Sequence, residues 1–191
     1  MKISELFNKY GSDKNEGVLY PNDSGRGHTY GKSYDKLFER FDKSSKLNIL
    51  EIGIQKGGSM VAWNDFFNNS TIYGVDIVDC ILPEYRRDGF TYIFDDIKSE
   101  ETTKILLDKT FDIIIDDGSH YLSDVIFTVS NYLEKLNSGG VMIIEDCQHP
   151  EVWLADIQKL VSDNYRIITS DLRYDRPSEQ YDNFLIIIER I

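Results

Sequence analysis

The chain is short of cysteine, histidine, proline and positive charge. Its 191 residues include two cysteines, three histidines and four prolines. Cys80 and Cys147 are far apart with no C-x-x-C spacing. That excludes a disulfide scaffold and predicts reduced thiols in a cytoplasmic protein. Lys and Arg number 21 against 33 Asp and Glu, for a formal net charge of −12. A surface this acidic repels phosphate backbones, so no nucleic-acid partner is expected. The densest basic spot, YRRDG at 85–89, is short and diluted by Asp88. No apolar run approaches the ~18 residues of a membrane span. The opening MKISELFNKYGSDK has no apolar core of a signal peptide either, so no membrane association is expected.

What is present is a globular composition, 41% hydrophobic and 13% aromatic. Seven strand-like runs occupy 47–54, 71–78, 91–97, 111–117, 140–147, 165–172 and 183–191. Amphipathic segments near 59–67, 99–109, 123–136 and 151–163 separate most of them. Ser99 followed by Glu100 and Glu101 marks a helix start, and NSGG at 137–140 a helix stop. Apolar runs alternating with helices predict an α/β fold. The expected form is a doubly wound, Rossmann-like seven-stranded sheet, mostly parallel, with helices on both faces. The last two runs are joined by a link too short for a helical crossover, so they are expected to close the sheet as an antiparallel hairpin. One domain spans 1–191: a core at 46–191, preceded at 1–45 by two helices and a Gly-, Asn- and Asp-rich loop. That loop, a lid or binding loop if ordered, carries Tyr20, His28 and Tyr30.

In open α/β sheets ligands bind beyond the carboxyl ends of the strands, so strand ends are the residues to read. The first strand runs into EIGIQKGGSM, which brings Glu51, Gly53, Gly57 and Ser59 to a strand–helix turn. The spacing is not the G-x-G-x-x-G of dinucleotide folds. It fits the looser E-x-G-x-x-x-G loop of S-adenosylmethionine (SAM) methyltransferases. Asp76 closes the second strand, roughly 20 residues on, where an acid accepts both ribose hydroxyls of an adenosine ligand. Asp95 and Asp96 close the third, at the position of an adenine contact. The next two strands end in the pairs Asp116, Asp117 and Glu145, Asp146. Four neighbouring carboxylates repel unless a cation sits among them, and oxygen ligands with room for water suit Mg²⁺. Solvated caps on buried strands are the competing reading. His120, past a Gly–Ser turn, is the candidate general base. His149 beside Pro150, with His28 and Tyr30, are candidate substrate contacts.

Together LEIGIQKGGS, YGVDI, FDIIIDDGSH and GGVMIIEDC resemble the metal-dependent sugar O-methyltransferases of macrolide biosynthesis, of the mycinamicin and demethylmacrocin type. Rhamnosyl O-methyltransferase-like and cephalosporin hydroxylase-like proteins belong to the wider group. YGSDK…HTYGKSYDKLF is similar to that group's N-terminal segment. The resemblance implies Asp117, Glu145 and Asp146 as Mg²⁺ ligands, His120 as the base and Asp116 on the SAM side. The reading is then a SAM- and Mg²⁺-dependent O-methyltransferase whose acceptor is a nucleotide sugar or a glycosylated small molecule. A homodimer is compatible with it. The alternatives are a catechol-type O-methyltransferase and a SAM- or nucleotide-binding module without catalysis. A hydroxylase is disfavoured because no two-histidine, one-carboxylate set is evident in the sequence.

Overall fold

The computed structural model describes residues 1–15, 27–174 and 182–191. Tyr20 and most of the proposed lid loop lie outside them. Two helices, α1 (Ile3–Lys9) and α2 (Gly31–Phe38), precede β1 (Asn48–Ile52), α3 (Gly58–Phe66), β2 (Thr71–Asp76) and β3 (Thr91–Phe94). Then come α4 (Glu100–Ile105), β4 (Phe111–Asp116), α5 (Leu122–Tyr132), β5 (Leu136–Ile144), α6 (Pro150–Ile157), β6 (Tyr165–Asp171) and β7 (Phe184–Arg190). The strands form one seven-stranded sheet in the order β3-β2-β1-β4-β5-β7-β6. The first five run parallel to one another, and β7 is antiparallel to both β5 and β6.

The apolar runs are strands because both faces of the sheet are covered. In β4 Ile113 and Ile115 join a core with Phe7, Tyr34 and Trp63 of the first three helices. Ile114, between them, joins the opposite core with Val125, Val129 and Trp153 of α5 and α6. Each of these isoleucines is 0% exposed, a burial worth roughly 1.5–3 kcal/mol apiece. Ser99 caps α4 by accepting the Thr102 N–H at 3.0 Å, as its position predicts.

The closing hairpin is antiparallel, as expected, and within it β7 inserts between β5 and β6, so its run of three isoleucines is fully sandwiched. One expectation needs correction. NSGG does not lie between helix and strand. The helix ends at Tyr132, followed by a 3-10 turn at Leu133–Lys135, and β5 already runs from Leu136. Its pairing with β4 shifts register between Phe111 and Ile113, so those four residues form an irregularity inside the strand.

The N-terminal helices pack onto α3 through rings: Phe7–Trp63 centroids are 5.0 Å apart and Tyr34–Trp63 5.3 Å. That contact sets Lys14, Tyr30 and Tyr34 against the carboxyl ends of β1, β4 and β5. The winding reverses between β1 and β4, and the cleft opens at that point.

Candidate active site

A cleft of about 410 Å³ opens at the strand ends, a size typical of small-molecule sites. One wall is the turn after β1. Gly53 has φ +82°, and a β-carbon there would lie 1.9 Å from the Asp117 carbonyl oxygen, so the turn admits only glycine. Gly57 at φ +85° caps α3, and a β-carbon on Gly58 would meet the Tyr10 carbonyl at 2.3 Å. Asp76 braces the same turn. Its Oδ2 accepts the N–H groups of Ile54 at 3.0 Å and Gln55 at 2.9 Å, and its Oδ1 accepts that of Val78 at 3.2 Å. Asp95, Asp96 and Ser59 also line the cleft.

Glu51 does not stand where expected. It is 0% exposed behind the wall, its Oε2 accepting from Ser59 Oγ at 2.9 Å and Trp63 Nε1 at 3.0 Å. An inward-facing position on β1, against the α3 core, puts it there. Burial pushes its pKa up to about 7. Asp116 does reach the cleft. It is 6% exposed, its Oδ2 is buried without a hydrogen-bond partner, and burial pushes its pKa up to about 6.

The second acid pair converges with the first, but a cation already stands among them. Lys14 is 2% exposed, with its Nζ 2.6 Å from Asp117 Oδ2, 2.7 Å from Glu145 Oε2 and 3.5 Å from Glu51 Oε1. Burial works against its charge, but Asp117, Glu145 and Glu51 outweigh it and hold its pKa well above the ordinary lysine value. Tyr34 donates its hydroxyl to the other Glu145 oxygen. Both oxygens of Glu145 are therefore hydrogen-bonded within the chain. Among the described residues, the groups that do offer ligand atoms within 4.8 Å of one another are Asp117, His120 and Asp146.

Asp146 is the hub of that group. Its Oδ1 accepts the Tyr30 hydroxyl at 2.5 Å and lies 3.5 Å from His28 Nε2, while its Oδ2 lies 3.8 Å from His120 Nε2. His28 stacks on Tyr30 with centroids 4.7 Å apart. Two histidines thus flank one carboxylate, a pairing invisible when they are 92 positions apart in the chain (28 and 120). Burial raises the Asp146 pKa to about 6, and His28 acts against that rise. Asp146 and His120 both hold positive φ, +54° and +56°, which side chains adopt at a local cost. His149 is exposed at the start of α6, and the residues lining the cleft do not include it. The α6 turn directs it outward.

Sequence reading missed Lys14 and Tyr34. Lys14 was visible only as one letter of YGSDK, and nothing local says that its side chain crosses to β4 and β5. Tyr34 reads as one of several ring residues on the buried face of α2.

Comparison with known proteins agrees with this geometry. A family model described as a methyltransferase domain matches residues 50–147, about half of the chain, from β1 through the second acid pair. The chain is 32% identical over 155 residues to 8-demethyl-8-alpha-L-rhamnosyl tetracenomycin-C 2'-O-methyltransferase of Streptomyces olivaceus, covering 76% of this chain and 38% of that protein. It is 32% identical over 131 residues to demethylmacrocin O-methyltransferase of Streptomyces fradiae, covering 64% of this chain and 32% of that one. The chain therefore spans only about a third of the length of these curated relatives. Among solved structures, the MycE methyltransferase of the mycinamycin biosynthetic pathway, in complex with Mg and SAH, shares the fold. Its TM-score is 0.70 at 22% identity, over 100% of this chain and 54% of that one. Family match and strand-end cleft together lead to one conclusion: the chain belongs to the methyltransferase domain family.

Proposed function

We propose that this chain is a SAM-dependent O-methyltransferase that methylates a sugar hydroxyl of a glycosylated small molecule, assisted by a divalent cation such as Mg²⁺. The observation that carries the reading is one shared cleft. The glycine turn and Asp76 line one part of it, and Asp117, His120 and Asp146 line another. The Streptomyces olivaceus relative acts, by its name, on a rhamnosyl tetracenomycin, which favours a glycoside over a catechol.

The residues fit both groups. The glycines pack the turn tightly against the backbone of Asp117 and Tyr10 beside the cleft, and the unpartnered Oδ2 of Asp116 suits a ligand bearing positive charge, as SAM does. Asp76 would hold its ribose, with Asp95 and Asp96 toward its adenine. Asp117 and Asp146 offer the carboxylate oxygens a hard cation prefers. SAM supplies an activated methyl group on sulfur. The ion supplies Lewis acidity to the acceptor oxygen.

The chain's own part is proton handling and orientation. His120 Nε2 takes the proton of the acceptor hydroxyl. Asp146 Oδ2, 3.8 Å away, stabilises the imidazolium that results, and Tyr30 fixes the carboxylate from its other oxygen. Asp117 is anchored through its own N–H on the Ile52 carbonyl at 2.9 Å, so the acid group and the glycine turn keep a fixed spacing. A panel of glycosides, nucleotide sugars and catechols, incubated with SAM and Mg²⁺ and read by mass spectrometry, tests the proposal. Methylation of glycosides is expected. Methylation of catechols alone, or of nothing while SAM stays unbound, would overturn it.

A further inference from the structure

Lys14 belongs to neither half of the proposed mechanism, yet it is a buried charge at the cleft with three carboxylates around it. Its ammonium touches carboxylates of three neighbouring strands: Glu51 of β1, Asp117 after β4 and Glu145 after β5. Its segment is fixed on both sides, by the Ser12 N–H on the Phe7 carbonyl at 3.0 Å and the His28 N–H on the Asp13 carbonyl at 2.5 Å. Four side chains of the cluster, Glu51, Asp117, Glu145 and Asp146, carry acid, and within hydrogen-bonding distance of two of them stands one lysine.

We propose that Lys14 is a positioning residue: it ties Asp117 to Glu145, holds Glu145 out of the cleft, and so decides which carboxylates are left for a divalent cation. Three consequences follow from the geometry. Glu145, with Lys14 on Oε2 and Tyr34 on Oε1, serves as a brace rather than a ligand. Asp117 keeps one oxygen on Lys14, which fixes the direction of the other. Four acids against one ammonium leave net negative charge, and the ligand atoms that converge beside it are those of Asp117, Asp146 and His120. Without the lysine, two buried carboxylates lose their counter-charge, and a soluble cation is drawn into the place the ammonium held.

The inference rests on the proposed metal-assisted methyl transfer for its catalytic meaning, but its first readout is binding. Mn²⁺, a paramagnetic stand-in for Mg²⁺, is titrated by electron paramagnetic resonance into the whole chain and into Lys14→Met, Lys14→Arg and the double variant Lys14→Met with Glu145→Gln. Lys14→Met is expected to bind Mn²⁺ at least about tenfold more tightly, a modest share of the attraction between close charges of partly buried groups. Its kcat for methyl transfer should fall at the same time, because the ion sits in the wrong place. Lys14→Arg keeps the charge and should bind Mn²⁺ within about threefold of the unaltered protein, and the double variant should return toward it as the freed acid is neutralised. If Lys14→Met does not fold, Lys14→Gln replaces it with the same expectation. Mn²⁺ affinity unchanged or weakened in the lysine variants, with the unaltered protein binding Mn²⁺ normally, would overturn the inference alone. An unaltered protein that neither binds Mn²⁺ nor transfers methyl would overturn the proposed function and this inference with it.

Discussion

Gly53 and Asp117 are in backbone contact: a β-carbon on Gly53 would lie 1.9 Å from the Asp117 carbonyl oxygen. The glycine that shapes the turn after β1 and the acid proposed as a cation ligand are therefore packed as one unit. Gly53→Ala forces either the strand ends apart or the backbone out of φ +82°. The left-handed conformation alone costs an L-residue roughly 1–2 kcal/mol, and the clash adds to it. Urea unfolding should show a loss of at least about 2 kcal/mol, with weakened SAM binding in whatever remains folded. A variant as stable as the parent would mean the two strand ends move freely.

Asp76→Ala should weaken SAM binding by roughly ten- to hundredfold, the loss of an acceptor serving two hydroxyls. Calorimetry measures it directly. Because Asp76 also accepts from Ile54 and Gln55, Asp76→Asn keeps part of the turn's bracing and should fall between the two. Unchanged affinity in Asp76→Ala would remove Asp76 from the ribose.

Much of this architecture is legible in the sequence, for physical reasons that can be named. FDIIIDD reads as a buried strand because three isoleucines in a row can be covered only by helices on both faces. Its acids mark the carboxyl end because charge cannot continue into that core. The same logic places Asp76, Asp95 and Glu145 at strand ends. What is not legible is long-range pairing of side chains. Lys14 meets Glu145 across 131 positions, and Tyr30 meets Asp146 across 116. No periodicity encodes such contacts. The expectation of a cation among four carboxylates followed from repulsion alone, but the sequence did not show that a lysine of the chain supplies part of that charge. The place of β7 inside the sheet was hidden likewise, since hairpin geometry fixes its partner β6 and not which of the two takes the edge.

Acids raised by burial, Glu145 and Asp13 among them, set a pH dependence of stability. Burial raises Glu51 to about 7 and Asp116 and Asp146 to about 6, from 4.5 for Glu and 3.8 for Asp. The folded chain therefore binds protons more tightly than the unfolded one between about pH 4 and 7, so stability is gained as pH falls through that window and lost as it rises. The lowered acids, Asp79, Asp95 and Asp171 among them, act in the opposite sense, but below about pH 4. Without added metal, the melting temperature should be higher near pH 5.5 than near pH 8. Each ~1 kcal/mol of linkage is worth ~2–4 °C for a chain of this size. Added Mg²⁺ should narrow the difference by stabilising the ionised form. A melting temperature that rises from pH 5.5 to 8 without metal would contradict the assignment of these acids.

His120→Ala should lower kcat by roughly 10²–10⁴, the span of positioned acid–base catalysis. SAM affinity should be unaffected. A variant with a near-normal kcat and the same pH profile would leave His120 a turn residue, and the proton would then have to go to His28, on the other side of Asp146.

The most direct test of the central claim uses SAM carrying a deuterated methyl group, a glycoside acceptor, and the chain with Mg²⁺ or with EDTA. With Mg²⁺, the labelled methyl is expected on one sugar oxygen of the product, located by mass spectrometry and NMR, and S-adenosylhomocysteine should form in equal amount. With EDTA the product should disappear while SAM still binds, because the ion serves the acceptor and not the cofactor. Labelled product formed equally well in EDTA would show that the acids at the ends of β4 and β5 are not a catalytic cation site. Bound SAM with no transfer to any glycoside would contradict the proposed reaction itself.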